Sequence, residues 1–189
     1  MIVKVVSLLL GISLLLVGCS HVAQPSTTAW LKRGVKVTLP YPYMDREVHK
    51  QQLLTATVGD RKESLMTAID IKNGQIVLVG LSPIGIRLFK ATYDGKTIIV
   101  EQSIQLPELP PANQVLADIM LSYWPLTSWQ PLLPNGWTLV DIDNKRLLKD
   151  EDQQLIMEIS YHLIGKDRVP IDISNHYFNY HINIQDMSE

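Results

Sequence analysis

Apolar and polar residues alternate along most of the chain, and this period of two is typical of β-strands. The clearest example runs from Leu155 to Leu163, where every second side chain is apolar and those between are mostly polar. Related runs, separated by Gly, Asn and Asp at turns, extend from residue 51 to residue 104 and from residue 137 to residue 184. We therefore predict about ten strands, connected mainly by hairpins.

A proline-rich segment at residues 106–111 interrupts this pattern and is followed by a different period. Apolar residues then recur at spacings of one, three and four, which predicts an amphipathic helix that Pro125 ends. These residues are Val115, Leu116, Ile119, Met120 and Tyr123. The predicted fold is mainly β (α+β), a curved antiparallel sheet or incomplete β-barrel with a helix covering its concave side. We expect Trp124 and Trp129 to be core residues at the junction of helix and sheet.

The run from Gln75 to Leu81 departs from simple alternation because it is apolar on both faces. Such a strand is covered on two sides, or it lines a cavity on one side and a core on the other. The connection that follows contains Pro83, Ile84 and Gly85, so an apolar residue lies between a stiff position and a freely turning one. This arrangement either exposes Ile84 or folds it back onto the core.

The first 18 residues have the features of a secretory signal, with a basic start and an apolar run too short to span a bilayer. We predict that residues 1–18 are removed, that residues 19–29 form a polar tether, and that residues 30–189 form one domain. The segment ending at Cys19 resembles the lipobox of bacterial lipoproteins, which implies that this single cysteine is acylated. The alternative is an ordinary signal peptide that contains a cysteine. The resemblance and Ser20 together imply sorting to the outer membrane.

Composition argues against nucleic-acid binding, because 17 basic residues are scattered among 19 acidic ones and the formal charge is −2. The chain has no nucleophile motif and no phosphate-binding glycine loop, and its five histidines have no metal-ligand spacing. We expect no enzymatic activity, no metal and no cofactor. Apolar surface on a membrane-tethered sheet instead favours lipid binding.

An apolar groove between sheet and helix could hold acyl chains, but the same pattern fits a closed domain with a filled core. The groove candidates are Val77, Val79, Leu88, Phe89, Val115, Ile119, Met120, Tyr123, Met157 and Ile159.

The lipobox, the tether, the succession of strands and the turn Ser82-Pro83-Ile84-Gly85 together resemble the LolB family of outer-membrane lipoproteins. That resemblance implies a LolA/LolB-like fold in which Pro83, Ile84 and Gly85 form a membrane-inserting loop. The mature chain resembles still more closely an uncharacterised lipoprotein family associated with aryl-polyene biosynthesis genes. The residues that carry this second resemblance are Leu78 to Gly95, Trp124-Pro125-Leu126, Leu133 to Trp137, Ile173-Ser174-Asn175 and Tyr180.

These resemblances imply an outer-membrane protein that faces the periplasm and passes a lipid or lipid-linked cargo to the inner leaflet. Its partners would be membrane lipid and a periplasmic LolA-like carrier, and we expect a monomer. The resemblance to LolB leads us to expect an N-terminal helix, but the sequence between Trp30 and Tyr43 has no helical pattern. A specialised acceptor, such as one for aryl-polyene lipid, is therefore favoured over general lipoprotein receipt. The alternative function is a scaffold or docking lipoprotein for an envelope export machinery.

Overall fold

A computed structural model describes residues 27–102 and 110–187, and it is mainly β. These residues form twelve strands and two helices. The strands are β1 (Thr28–Lys32), β2 (Val35–Thr38), β3 (Val48–Val58), β4 (Arg61–Lys72), β5 (Gln75–Leu81), β6 (Arg87–Tyr93), β7 (Ile98–Gln102), β8 (Thr138–Ile142), β9 (Lys145–Lys149), β10 (Leu155–Ile164), β11 (Asp167–Asn175) and β12 (Tyr180–Asp186). The helices are α1 (Ala112–Tyr123) and α2 (Leu126–Trp129).

Ten of the strands form one antiparallel sheet in the order β7-β6-β5-β4-β3-β12-β11-β10-β9-β8. Strands β3 to β7 are consecutive neighbours, and so are β8 to β12, so two five-strand meanders meet where β3 pairs with β12. The prediction of an antiparallel, hairpin-connected sheet is confirmed. The sheet is open rather than closed into a barrel, since β7 and β8 lie at its two ends.

Helix α1 packs over one face of this sheet, as its apolar spacing predicts. Leu116 and Met120 have no exposed surface, and they join a core with Ile69, Ile71 and Leu78 of the sheet. The alternation in β4 and β5 places these sheet residues on one face, which we call the inner face.

Trp124 and Trp129 are both fully buried, so their predicted place in the core is confirmed. Their indole N–H groups donate to the backbone oxygens of Tyr41 and Met120, at 3.1 and 3.2 Å. A buried indole needs such an acceptor.

The hairpin formed by β1 and β2 lies before residue 51, where the predicted series of strands begins. Strand β1 begins at Thr28 and its Ala29 is fully buried, so Thr28 and Ala29 belong to the fold and not to the tether. The hairpin contacts both end regions of the large sheet. The Tyr93 hydroxyl of β6 donates a hydrogen bond to the carbonyl oxygen of Leu39, which follows β2. At the other end, Lys32 of β1 forms ion pairs with Asp150 and Glu151, which follow β9.

Two local features interrupt the strands predicted between residues 137 and 184. Strand β11 contains Pro170, which it tolerates because the register with β10 shifts beside it. Phe178 lies in the turn before β12 and not on a strand. Ile104, the signal and Cys19 fall outside the described residues. Within the described part of the chain, neither helix has the length and apolarity needed to cross a bilayer.

Candidate functional site: the Ile84 turn

Residues Ser82 to Ile86 connect β5 to β6 and form a tightly bonded turn, here called the Ile84 turn. The Gly85 N–H donates to the Ser82 carbonyl at 2.8 Å, and the Ser82 N–H donates to the Ile86 carbonyl at the same distance. The Ser82 hydroxyl also accepts from the Ile86 N–H at 3.1 Å. Gly85 has a φ of 80°, as in the common three-residue hairpin connection that ends in a left-handed residue. Hydrogen bonding therefore fixes the backbone of this turn.

Ile84 is 81% exposed, the largest exposed fraction among the large apolar side chains described in the structure. Ile84 therefore points away from the core in this structure and does not fold back onto it. Ile86, which sequence reasoning did not assign to the site, is also exposed. The turn thus presents two isoleucines to solvent, and Gly85 between them has open space where a side chain would be.

The groove candidates do not line one open groove. Phe89, Ile119, Met120, Met157 and Ile159 are buried in the core cluster. Leu88, Val115 and Tyr123 are partly buried and pack against that cluster. A side chain that lines a water-sized cavity keeps accessible surface, whereas Met120 keeps none and Ile159 keeps 1%. In this structure the five buried candidates are therefore packed by protein, as in the alternative of a filled core.

Val77 and Val79 lie on the opposite face of the sheet, because they alternate with the buried Ile76 and Leu78. They are partly buried, and their neighbours across β4 are Asp70 and Ala68. The inner-face residues of this apolar strand, Ile76 and Leu78, therefore belong to the core. Its outer-face residues form a partly exposed surface and do not share a groove with α1.

A buried polar cluster joins α1 to the sheet, and sequence reasoning did not find it. The Tyr180 hydroxyl of β12 lies 3.0 and 2.9 Å from the two carboxylate oxygens of Asp118, and Asn175 donates to Tyr180 at 3.2 Å. Burial raises the pKa of Asp118 to about 7. Burial and the neighbouring Asp118 charge raise the pKa of Tyr180. Asp118 lies three residues after Val115, within the apolar stripe of the helix. A charged residue at such a position was the sign in the sequence that a buried polar contact forms there.

The C-terminal end of α1 is held by a buried arginine. Arg146 of β9 donates from Nη1 to the carbonyl oxygens of Leu121 and Trp124, both at 2.7 Å. Its Nε and Nη2 donate to the two carboxylate oxygens of Asp141 at 2.8 and 3.0 Å. The pKa of Asp141 is lowered: its own burial opposes this, but the hydrogen bonds and charges of Arg146 and Arg168 outweigh it. Arg146 thus supplies hydrogen-bond donors to carbonyl oxygens that the end of a helix leaves without partners. The cluster has a structural role and does not line an open site.

The two surface depressions that stand out are lined mainly by polar and charged groups. One, of about 560 Å³, includes His49, Lys50 and Asp70, and the other, of about 230 Å³, lies between residues 42–47 and 71–74. The His49 Nδ1 atom lies 2.5 Å from an Asp70 oxygen. Among residues 27–102 and 110–187, no group of three or more His, Cys, Asp or Glu side chains is arranged to hold a metal ion.

Comparison with known proteins gives a family but no function. Residues 49–188 match the model of a family described as a protein of unknown function, DUF3261. The match begins at the second residue of β3 and covers the rest of the ten-stranded sheet. No curated protein matches the chain.

Proposed function

Because the chain belongs to the DUF3261 family of proteins of unknown function, we propose its function from its structure and sequence. The protein is a non-enzymatic lipoprotein, anchored in the outer membrane through acylated Cys19, that binds a lipid or lipid-linked cargo and passes it to the inner leaflet. The observation that carries this proposal is the Ile84 turn. It holds an isoleucine that is 81% exposed on a hydrogen-bonded backbone.

Exposure of this kind is costly in water and favourable in a bilayer. Moving one isoleucine side chain from water into hydrocarbon gains about 1.5–3 kcal/mol. That gain alone gives weak, reversible contact, which suits a loop that touches the membrane during transfer. Acyl chains on Cys19 would supply the permanent attachment, at about 0.8 kcal/mol for each buried methylene.

The identities proposed for the carrier and the cargo rest on the family resemblances. The Ser82-Pro83-Ile84-Gly85 motif and the lipobox support a LolB-like acceptor that receives cargo from a periplasmic LolA-like carrier. The more extensive resemblance supports aryl-polyene lipid as the cargo. The antiparallel sheet with a helix on one face is compatible with a LolA/LolB-like fold.

A second candidate function is a scaffold or docking lipoprotein for an export machinery. The observation that favours it is the packing of the inner face, where Met120 and Ile159 have essentially no accessible surface. A carrier must make room for its cargo, whereas a scaffold needs no cavity.

The first experiment measures transfer of a fluorescent phospholipid from donor to acceptor vesicles. We expect Ile84→Glu to abolish the protein-dependent transfer, because a carboxylate at the tip opposes entry into hydrocarbon. Ile99→Glu is the matched control, since Ile99 is exposed on edge strand β7, away from the turn. Equal activity of Ile84→Glu and the parent protein would contradict the proposed role of the turn.

The second experiment separates the two candidate functions. Residues 20–189, exported behind a signal peptide that has no lipobox, are purified from the periplasmic fraction, extracted with organic solvent and examined by mass spectrometry. A carrier yields lipid in a fixed ratio to protein. Absence of lipid, together with no uptake of a fluorescent fatty acid, would favour the scaffold.

A further inference from the structure

A second apolar turn lies at the same end of the large sheet as the Ile84 turn. Strand β3 runs towards this end and finishes at Val58, which pairs with Tyr180 at the start of β12. Strand β5 is parallel in direction to β3, because each is antiparallel to β4, and it finishes at the Ile84 turn. Residues 176–179, which precede Tyr180, are therefore at the Ile84 end. We call them the aromatic turn.

The aromatic turn exposes two rings on a fixed backbone. Tyr177 is 44% exposed and Phe178 is 37% exposed, and their rings meet edge to face with centroids 5.1 Å apart. The Asn175 side chain accepts from the Phe178 N–H at 2.8 Å, and the His176 N–H donates to the Ile156 oxygen at 2.8 Å. Asn179 takes a φ of 53°, which turns the chain into β12. These bonds keep the pair outside the core.

We propose that the aromatic turn is a second membrane-contact site, which rests against the lipid headgroup region while the Ile84 turn enters the hydrocarbon. This inference rests on the proposed function and adds an interfacial anchor to it. Aromatic rings with a polar tip, such as tyrosine, favour the boundary between headgroups and acyl chains, whereas isoleucine favours the hydrocarbon itself. Two points of contact would also fix the orientation of the domain on the surface.

A bilayer fits these turns better than a protein partner. A stable protein interface needs about 800 Å² of continuous, complementary surface on each side. Strands β4 and β3 lie between the Ile84 turn and the aromatic turn in the sheet, so the two turns form separate protrusions. A fluid lipid surface accommodates separate protrusions, since each one displaces lipid independently.

Charge at this end of the sheet is mixed. The Ile84 turn is followed by Arg87, which lies 3.9 Å from Glu101, and the β3–β4 hairpin carries two basic and two acidic residues. The loop between β9 and β10, at the same end, adds Asp150, Glu151 and Asp152. Charge therefore gives no net attraction to anionic headgroups, and the proposal rests on the apolar and aromatic side chains.

Fluorescence depth measurements on the full chain test the proposal. Single cysteines replace Phe178, Ile84 and Leu163 in turn and are labelled with an environment-sensitive dye. The parent chain, whose Cys19 is expected to be acylated, gives the background labelling. The proteins are reconstituted in vesicles of phosphatidylethanolamine and phosphatidylglycerol that contain nitroxide-labelled lipid. Leu163 is the matched control, because it is exposed on the β10–β11 hairpin at the opposite end.

We expect the dye at position 178 to be quenched most by nitroxides near the headgroups, and the dye at position 84 most by those deeper in the acyl region. The dye at position 163 should remain unquenched. Quenching at 84 without quenching at 178 would overturn the aromatic anchor but leave the proposed function intact. Quenching at 178 alone would remove the proposed role of Ile84. A blue shift at 178 without lipid quenching would indicate a protein contact, and quenching confined to 163 would reverse the orientation; both would overturn the inference.

Discussion

The Tyr180 hydroxyl lies within hydrogen-bonding distance of both carboxylate oxygens of Asp118, at 3.0 and 2.9 Å. This contact joins helix α1 to strand β12 in a region where Asp118 is buried and Tyr180 is partly buried. Desolvation raises the pKa of Asp118 to about 7, although the hydrogen bonds from Tyr180 and Gln114 lower it. The folded protein therefore binds a proton at Asp118 over a pH range in which the unfolded chain has released it.

Stability should fall as the pH rises through the range that separates these two pKa values. An aspartate in the unfolded chain has a pKa of about 3.9, so the proton is favoured by the folded state between about pH 4 and pH 7. In that range the Asp118 contribution decreases with a limiting slope of about 1.4 kcal/mol per pH unit, and above pH 7 it is constant. Urea unfolding followed by tryptophan fluorescence at several pH values measures this slope.

Asp118→Asn isolates this contribution, because the amide oxygen still accepts from Tyr180 but does not titrate. Asp141 and Asp150 have lowered pKa values and change stability in the opposite direction at acidic pH. The difference between parent and variant removes their effect. Parallel pH profiles for the two proteins would show that Asp118 titrates normally.

Arg146→Met should be among the most destabilising single changes in the sheet. It removes donors from the Leu121 and Trp124 carbonyls and leaves Asp141 with fewer partners in a partly buried position. Breaking a buried ion pair costs about 3–5 kcal/mol. Arg46→Met is the matched control, since the Arg46–Asp167 pair is 3.0 Å long but exposed, and such pairs contribute about 0–1 kcal/mol. Similar losses in urea unfolding for both variants would refute this assignment.

Gly80→Ala should destabilise the protein by about 1–3 kcal/mol. Gly80 faces Phe89 across β5 and β6, and an added methyl group would overlap the phenyl ring. Phe89→Leu in the same chain should recover part of the loss, because the smaller side chain frees that space. A double-mutant cycle by urea unfolding measures the coupling, and additive effects would show that the ring moves aside freely.

Met120→Ala and Ile84→Ala should differ sharply in stability. Met120 has no exposed surface, and truncating a buried methionine costs about 2–5 kcal/mol. Ile84 is exposed, so its truncation should change the free energy of unfolding by less than about 0.5 kcal/mol. Thermal and urea unfolding provide the comparison. A small effect of Met120→Ala would reveal space under α1 and restore the open groove as a hypothesis.

The sheet and its helix could be predicted because their signals are local. Alternation predicted the succession of strands between residues 51 and 104, and Pro83 with Gly85 predicted the turn that connects β5 to β6. Strand β1 was missed because Thr28 and Ala29 continue a polar tract, and only pairing with β2 makes them a strand. Pairing between segments is a tertiary property that a short window does not contain.

The choice between an open groove and a filled core could not be made from the sequence, for a related reason. A strand residue packed by protein and one that lines a lipid cavity have the same apolar side chain, so Met157 and Ile159 fitted both interpretations. The Asp118–Tyr180 contact joins residues 62 positions apart, and neither residue type alone indicates it. Only the fold brings them together.

The arrangement of the sheet as two meanders has a consequence for the order of folding. Strands β3 to β7 and β8 to β12 can each form from successive hairpins, whose loops are short and close rapidly. The β3–β12 pairing joins residues as far apart as Gln52 and Asp186, and the entropy of closing so long a loop delays it. Until the last strand of the chain pairs with β3, both halves have an unpaired strand in the middle of the future sheet. Refolding should therefore end with one slow step, in which the two halves join.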